Sequence, residues 1–143
     1  MSKIIVSACL LGENCKYSGG NNYDAKVVEF VHGREVLPVC PEVLAGLGVP
    51  RIPIEIQNGV VTRRDGVVVD AAIRKAVAQI LEQMKDADIE CAILKARSPT
   101  CGVHQIYDGT FSGTLTDGAG VLAQALKEAG YTVLDNEDLE DRK

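Results

Sequence analysis

The run Lys3-Ile4-Ile5-Val6-Ser7, followed directly by Ala8-Cys9-Leu10-Leu11-Gly12, governs the reading of the whole chain. An unbroken apolar, β-branched run too short for a helix is the pattern of a strand buried on both faces, which belongs mainly to parallel sheets. Parallel strands need crossover connections, usually helices, and the sequence beyond alternates in that way. The stretch from Ala8 to Asn22 holds Gly12, Gly19, Gly20 and three asparagines, and reads as loop. Asp24 is placed to cap a short helix through His32 that Gly33 ends. Residues 35–39 predict a second strand, with Pro38 near its end or on a free edge because proline gives the ladder no N–H. A segment punctuated by proline and glycine, Pro41 to Pro53, follows.

Residues 54–69 alternate in short apolar bursts around Asn58-Gly59 and Asp65-Gly66, which predicts a small antiparallel excursion. Asp70 then reads as the cap of a long helix to about Asp86, with Ala72, Ile73, Ala76, Val77, Ile80, Leu81 and Met84 on one face. A strand at 90–94 and a second long polar loop come next. A helix is expected to start at Thr116 or Asp117, carry Val121, Leu122, Ala125 and Leu126 as its apolar stripe, and end at Gly130. Tyr131–Leu134 reads as a last strand, and the acidic end, Asn136 to Lys143, as a short helix or frayed tail. The alternation predicts an α/β class: one small Rossmann-like domain over residues 1–143, its sheet mostly parallel, with flanking helices and a short antiparallel hairpin.

Composition narrows the function. The 143 residues carry 15 Lys and Arg against 20 Asp and Glu, a net charge of −5. That balance argues against a nucleic-acid polymer or a polybasic membrane surface as partner. No apolar run approaches the ~18–20 residues that span a bilayer. The amino terminus lacks the length and cleavage site of a secretory signal, so a cytoplasmic location is expected. Aromatic residues are scarce (four Tyr, two Phe, no Trp), leaving the core to Val, Ile, Leu and Ala. Five cysteines is a high number for a reducing compartment, and an odd number cannot all pair internally.

Ligands of open parallel sheets bind beyond the carboxyl ends of the strands. Cys9 follows the first predicted strand, Cys40 the second, and Cys101 lies in the loop after the strand at 90–94. Cys15 shares the loop of Cys9 and either reaches the site or faces solvent, whereas Cys91 sits at the far end of its strand. Three thiolates at one point suit a soft metal centre with an open position, such as an iron–sulfur cluster. A thiol-catalysis site and unrelated buried thiols are the other readings. Glu42, two residues after Cys40, is placed for acid or base work, or is a solvated loop charge. Ser98, three residues before Cys101, is a site hydroxyl or a turn residue, and Gly102 lets the backbone approach a bulky group. Arg51, Lys95 and Arg97 are candidate substrate contacts or surface cations. Tyr17, Tyr23 and Tyr107 are loop aromatics able to stack on a ring. His32 and His104 lack zinc spacing and are assigned to a helix end and to the surface. The glycines at 109, 113, 118 and 120 are read as turns beneath the site, not as a nucleotide fingerprint.

Four ordered blocks resemble the thiouracil desulfurase family, formerly domain of unknown function 523. They are Ser7-Ala8-Cys9-Leu10-Leu11-Gly12; Cys40-Pro41-Glu42-Val43; Leu94-Lys95 with Arg97-Ser98-Pro99-Thr100-Cys101-Gly102; and Ile106 through Gly113. The resemblance runs from residue 4 to about 126. It implies a [4Fe-4S] cluster held by Cys9, Cys40 and Cys101, with Cys15 a possible addition and one iron open to the sulfur of a thiolated pyrimidine or related small thioamide. It further implies Glu42 as acid/base, Ser98 as substrate-positioning residue, and sulfur leaving as hydrosulfide without net redox change. An aerobic preparation is expected to lose the cluster readily or to carry zinc in its place. The departures from the family pattern, at Lys16, Ser18, Ala45, Ile52, Ile54 and within 63–70, alter loops and no implied ligand. The small-molecule partner goes with a monomer or weak homodimer. Two other functions use the same cysteines: a metal- or redox-sensing module without turnover, and a thiol enzyme with a Cys nucleophile.

Overall fold

A computed structural model of the protein describes residues 2–141; Met1, Arg142 and Lys143, the last two belonging to the expected acidic end, lie outside the described residues. In chain order the elements are β1 (Lys3–Ser7), a 3-10 turn (Ala8–Leu11), α1 (Ala25–Val31), β2 (Glu35–Val39), α2 (Pro41–Leu44) and the hairpin β3 (Ile54–Gln57) and β4 (Val60–Arg63). Then come α3 (Asp70–Met84), β5 (Ile89–Leu94), the hairpin β6 (Gln105–Tyr107) and β7 (Leu115–Asp117), α4 (Val121–Glu128), β8 (Val133–Asp135) and a 3-10 segment (Asn136–Asp141).

β1, β2, β5 and β8 form a wholly parallel sheet in the order β2-β1-β5-β8. Side chains alternate across a strand, so the apolar run of β1 divides between two cores. Ile5 packs with Ala92 and Leu94 of β5 against Ile73, Val77 and Ile80 of α3 and Leu122 and Leu126 of α4. Ile4 and Val6 pack with Cys91 and Ile93 against Val27 and Val31 of α1 and Leu139. Helices on both faces therefore explain why Ile4, Ile5 and Val6 are all at most 1% exposed. Pro38 sits on β2, the edge strand, where its missing N–H leaves the β1 ladder intact. Because β1 leads outward to β2 and β5 leads the other way to β8, strand order reverses between β1 and β5. A crevice opens at such a reversal, at the carboxyl ends of the strands. Among the described residues no helix is long and apolar enough to cross a membrane.

Several local expectations are corrected. Asp70 is the first residue of α3, not its cap; Val69 holds the cap position. Its carboxylate accepts the Val61 amide at 2.9 Å and the Arg74 guanidinium at 2.8 Å, fastening β4 to the helix. α3 stops at Met84, short of Asp86. Val67–Val69 makes only a single bridge, Thr62 to Val68. The segment after Cys40 contains a short helix, with Pro41 in its first turn, where a missing N–H costs nothing. Thr116 and Asp117 lie in β7, which pairs with β6 in a hairpin too short to show in the periodicity. The last strand is displaced from Tyr131–Leu134 to Val133–Asp135.

α4 instead begins at Val121, with no side-chain cap. The loop 98–102 takes that role: Gly120 N–H donates to Gly102 O at 2.8 Å, Val121 N–H to Pro99 O at 3.1 Å, and Leu122 and Ala123 N–H to Thr100 O at 2.8 and 3.3 Å. These amides have no partner inside the helix and would otherwise need a cap or water. The approach is so close that a Cβ on Gly120 would lie 2.4 Å from the Thr100 carbonyl carbon. Gly120→Ala is accordingly expected to destabilise the protein by about 1–3 kcal/mol, read as a fall in Tm. Gly20→Ala, whose Cβ meets only the Ser18 hydroxyl at 3.6 Å, should leave Tm nearly unchanged.

Candidate functional site

The crevice is a cavity of about 520 Å³ whose lining includes Cys9, Cys15, Cys40, Glu42, Lys95, Ser98 and Cys101. Each comes from the segment that follows a parallel strand. β1 runs into the 3-10 turn that carries Cys9, and the Asn22 amide donates to its sulfur at 3.4 Å. β2 is followed at once by Cys40, extended, at the amino end of α2; Glu42 follows in that helix's first turn. β5 leads through Lys95 into the loop that α4 holds, which carries Ser98, Thr100 and Cys101. The structure thus brings Cys9, Cys15, Cys40, Cys101, Glu42 and Ser98 to one place. Cys91 lies on the α1 side of the sheet, packed in the core.

Glu42 is buried, 8% exposed. Its Oε1 accepts the Thr100 hydroxyl at 2.9 Å and its Oε2 lies 3.8 Å from the Cys40 thiol. The Cys40 thiol also faces the Cys15 carbonyl at 3.9 Å. Cys101 is buried, with the Thr100 hydroxyl 3.6 Å from its sulfur. Ser98 Oγ accepts the Thr100 and Cys101 amides at 3.2 and 3.1 Å.

Burial, aided by the Glu42 charge, pushes the Cys101 thiol up to about 12 and raises Cys40 and Cys9 as well; burial, with Cys9 beside it, raises Cys15. Such thiols are protonated and inert near neutrality, the opposite of an activated nucleophile. They become thiolates only when a cation repays their burial, releasing protons as it binds. The donor set is soft sulfur, which selects zinc, copper(I) or iron–sulfur clusters. Four thiolates on one zinc, each at ~2.3 Å, sit roughly 3.8 Å apart. Among the described residues no trio of thiols has its sulfurs all within 4.8 Å of one another, and the one group that tight is His104, Asp135 and Asp138.

Other expected residues fare unevenly. Lys95 lines the cavity, and burial together with Arg97 lowers its ammonium below the usual lysine range; its Nζ donates to Ala96 O at 2.9 Å. Arg97 lines it too but is held in a bidentate pair with Glu137 at 2.8 and 2.7 Å. Arg51 donates to Gly48 O at 3.1 Å. Tyr17 and Tyr107 face the cavity together with Phe111; Tyr23 does not line it and stands exposed beside Gly12. His32 ends α1, and His104 is an exposed partner of Asp138. Gly102 is required by the loop's own backbone, since a Cβ would lie 2.7 Å from Ser98 O and Gln105 O. The amides of Gly109 and Phe111 point at the buried Glu55 carboxylate, at 2.9 and 3.2 Å. Sequence reasoning missed Thr100, Asn22, Glu55 and Ser7, whose hydroxyl bonds the Cys101 thiol and accepts the Lys95 amide at 2.9 Å. Thr100 and Ser7 carried a signal, their places inside the Ser98–Gly102 and Ser7–Gly12 blocks.

Comparison with known proteins places the chain in a family. Residues 4–138 match the family model described as 2-thiouracil desulfurase. The chain is 36% identical to the uncharacterized protein YbbK of Bacillus subtilis (strain 168), over 96% of this chain and 98% of that one. Its fold matches a solved structure named [4Fe-4S]-dependent thiouracil desulfidase TudS with a TM-score of 0.90 and 35% identity, covering 99% of this chain and 95% of the other. With strand order, convergent thiols and family model in agreement, the chain belongs to the 2-thiouracil desulfurase family of enzymes.

Proposed function

We propose that the chain works as a single domain in the cytoplasm, removing sulfur from a thiolated pyrimidine or related small thioamide with a [4Fe-4S] cluster held by Cys9, Cys40 and Cys101. The observation that carries this reading is the convergence of three thiols from three neighbouring strand ends, Cys101 buried and Cys9 and Cys40 half-buried, with the Glu42 carboxylate among them. When bound, the cluster supplies an open, sulfur-seeking Lewis-acid iron that makes the ring carbon of a thiocarbonyl more electrophilic.

The remaining steps belong to side chains. Glu42 Oε2 faces the cavity beside Cys40 and takes a proton from water as its oxygen adds to the ring carbon. Oε1 stays on the Thr100 hydroxyl, so the carboxylate does not turn away. Ser98, its oxygen accepting two amides, has one proton, which lies within reach of the Thr100 oxygen at 3.2 Å and turns to a ring carbonyl or nitrogen when substrate enters. Tyr17, Phe111 and Ile52 give the ring apolar faces. The net change is that C=S and H₂O become C=O and H₂S; Glu42 passes the first water proton to the leaving sulfur, the proton left on the added oxygen follows as C=O forms, and no electron is gained or lost.

Anaerobic reconstitution of wild type is expected to give about four iron and four sulfide per chain with broad absorption near ~400 nm. Failure to hold iron would sink this reading. Cys9→Ser, Cys40→Ser and Cys101→Ser should each hold far less iron, whereas Cys15→Ser should load like wild type; a loss there would make Cys15 a fourth ligand. Glu42→Gln should keep its iron and sulfide but lose kcat by about 10²–10⁴-fold. Unchanged turnover in that variant would rule out acid/base work by the carboxylate.

A further inference from the structure

The desulfurase reading needs a carboxylate at Glu42 but says nothing of what holds it. Thr100 is completely buried and reaches three groups of the site at once. Its hydroxyl lies 2.9 Å from Glu42 Oε1, 3.2 Å from Ser98 Oγ and 3.6 Å from Cys101 Sγ. It has one proton to give. Ser98 Oγ already accepts the amides of Thr100 and Cys101, at 3.2 and 3.1 Å, so both of its lone pairs are engaged. The Cys101 sulfur is a weak acceptor and stands farther away. The carboxylate oxygen is nearest, and a hydrogen bond to an anion is roughly twice as strong as one between neutral groups. The proton therefore points at Glu42.

We propose that Thr100 is a positioning residue, its buried hydroxyl fixing the Glu42 carboxylate so that Oε1 is held and Oε2 faces the reacting atoms. The inference rests on the desulfurase reading and deepens it. The frame behind Thr100 is rigid, because its carbonyl accepts the Leu122 and Ala123 amides of α4 at 2.8 and 3.3 Å. Its neighbour Cys101 belongs to the thiol set, so one short piece of backbone sets both the acid/base group and the cofactor. The terminal torsion of a glutamate is broad. Without the hydroxyl, the carboxylate of Glu42 turns between orientations, only some of which aim an oxygen at the substrate.

The test compares reconstituted wild type, Thr100→Val and Thr100→Ser with 2-thiouracil as the probe. Thr100→Val, nearly the same shape, is expected to keep wild-type iron and sulfide and a similar KM, while kcat falls about ten- to a hundredfold. Thr100→Ser should recover most of that loss. In a Glu42→Gln background, Thr100→Val should cost nothing further. The carboxylate stretch assigned to Glu42, from the infrared difference between wild type and Glu42→Gln, should shift in Thr100→Val and return in Thr100→Ser. The proposal is overturned if Thr100→Val turns over like wild type, if it loses iron, if Thr100→Ser is as slow as Thr100→Val, or if the loss persists without Glu42. A wild type that holds iron but opens no thiolated pyrimidine removes the desulfurase reading itself, and is recognised before any variant is compared.

Discussion

The contact on which the site depends is the docking of the loop 98–102 onto the amino end of α4. Four backbone amides that a helix cannot satisfy internally meet three carbonyls that a loop cannot satisfy internally. Both parties are buried, so separating them would leave several unpaired polar groups, each costing about 1–3 kcal/mol. The requirement falls on backbone atoms, and it is why glycine stands at 120: the two segments approach to distances at which any side chain there would strike the Thr100 carbonyl. Since α4 is itself anchored in the core through Leu122 and Leu126, the position of Cys101 is tied to the sheet by the same packing that stabilises the fold.

That coupling explains which parts of the molecule the sequence disclosed. The buried β1 run, the capped α1, the Asn58-Gly59 turn and the amphipathic α3 are local patterns, and periodicity and turn chemistry exposed them. The convergence of Cys9, Cys40 and Cys101 was also legible, because it needs only three parallel strands and a place just past each end. The start of α4 was not. Thr116 and Asp117 are good capping residues by type, but the cap is made by carbonyls some twenty positions earlier, a long-range partner that leaves no local trace. Asp70 misled for the related reason that its carboxylate serves β4 and Arg74. Glu55 and Asn22 read as ordinary polar loop or strand residues until the fold aims them at the Gly109 amide and the Cys9 sulfur.

Electrostatics separates the readings that the sequence left open. A nucleophilic cysteine needs a neighbour that stabilises its anion, yet Glu42, the charge closest to Cys40, does the reverse, and burial acts in the same direction. The same surroundings suit a cationic cofactor. An array of neutral thiols folds without the cost of buried anions, and its charge appears only when metal arrives to balance it. A sensing module would be content with this much. It would have no use for a buried carboxylate oriented by a fully buried threonine, since burying a charged group that performs no task is a liability that folding has to offset.

The loop is also held from its other flank. Ala96 N–H donates to Asn136 Oδ1 at 2.9 Å, and Asn136 Nδ2 to Asp24 Oδ2 at 3.2 Å, so one side chain links the site loop to the cap of α1. Arg97, in the left-handed region at φ 65°, is fixed by Glu137 next to it. An exposed ion pair alone contributes little, but here it acts beside a buried amide bond on a residue whose backbone is otherwise disfavoured. Residues 95–102 are thus clamped at both ends, by side chains at 95–97 and by the α4 amides at 99–102. The other wall of the cavity is built differently. Tyr17, Arg51 and Ile52 stand on loops, while Arg64, just past β4, and Phe111, in the turn between β6 and β7, meet by a cation–ring contact at 5.8 Å. Ser98 and Cys101 stand on the clamped wall, whereas loops shape the wall that Tyr17, Arg51 and Ile52 form. Loop departures such as Lys16 and Ile52 can change which ring fits without moving the carboxylate or the thiols that would act on it.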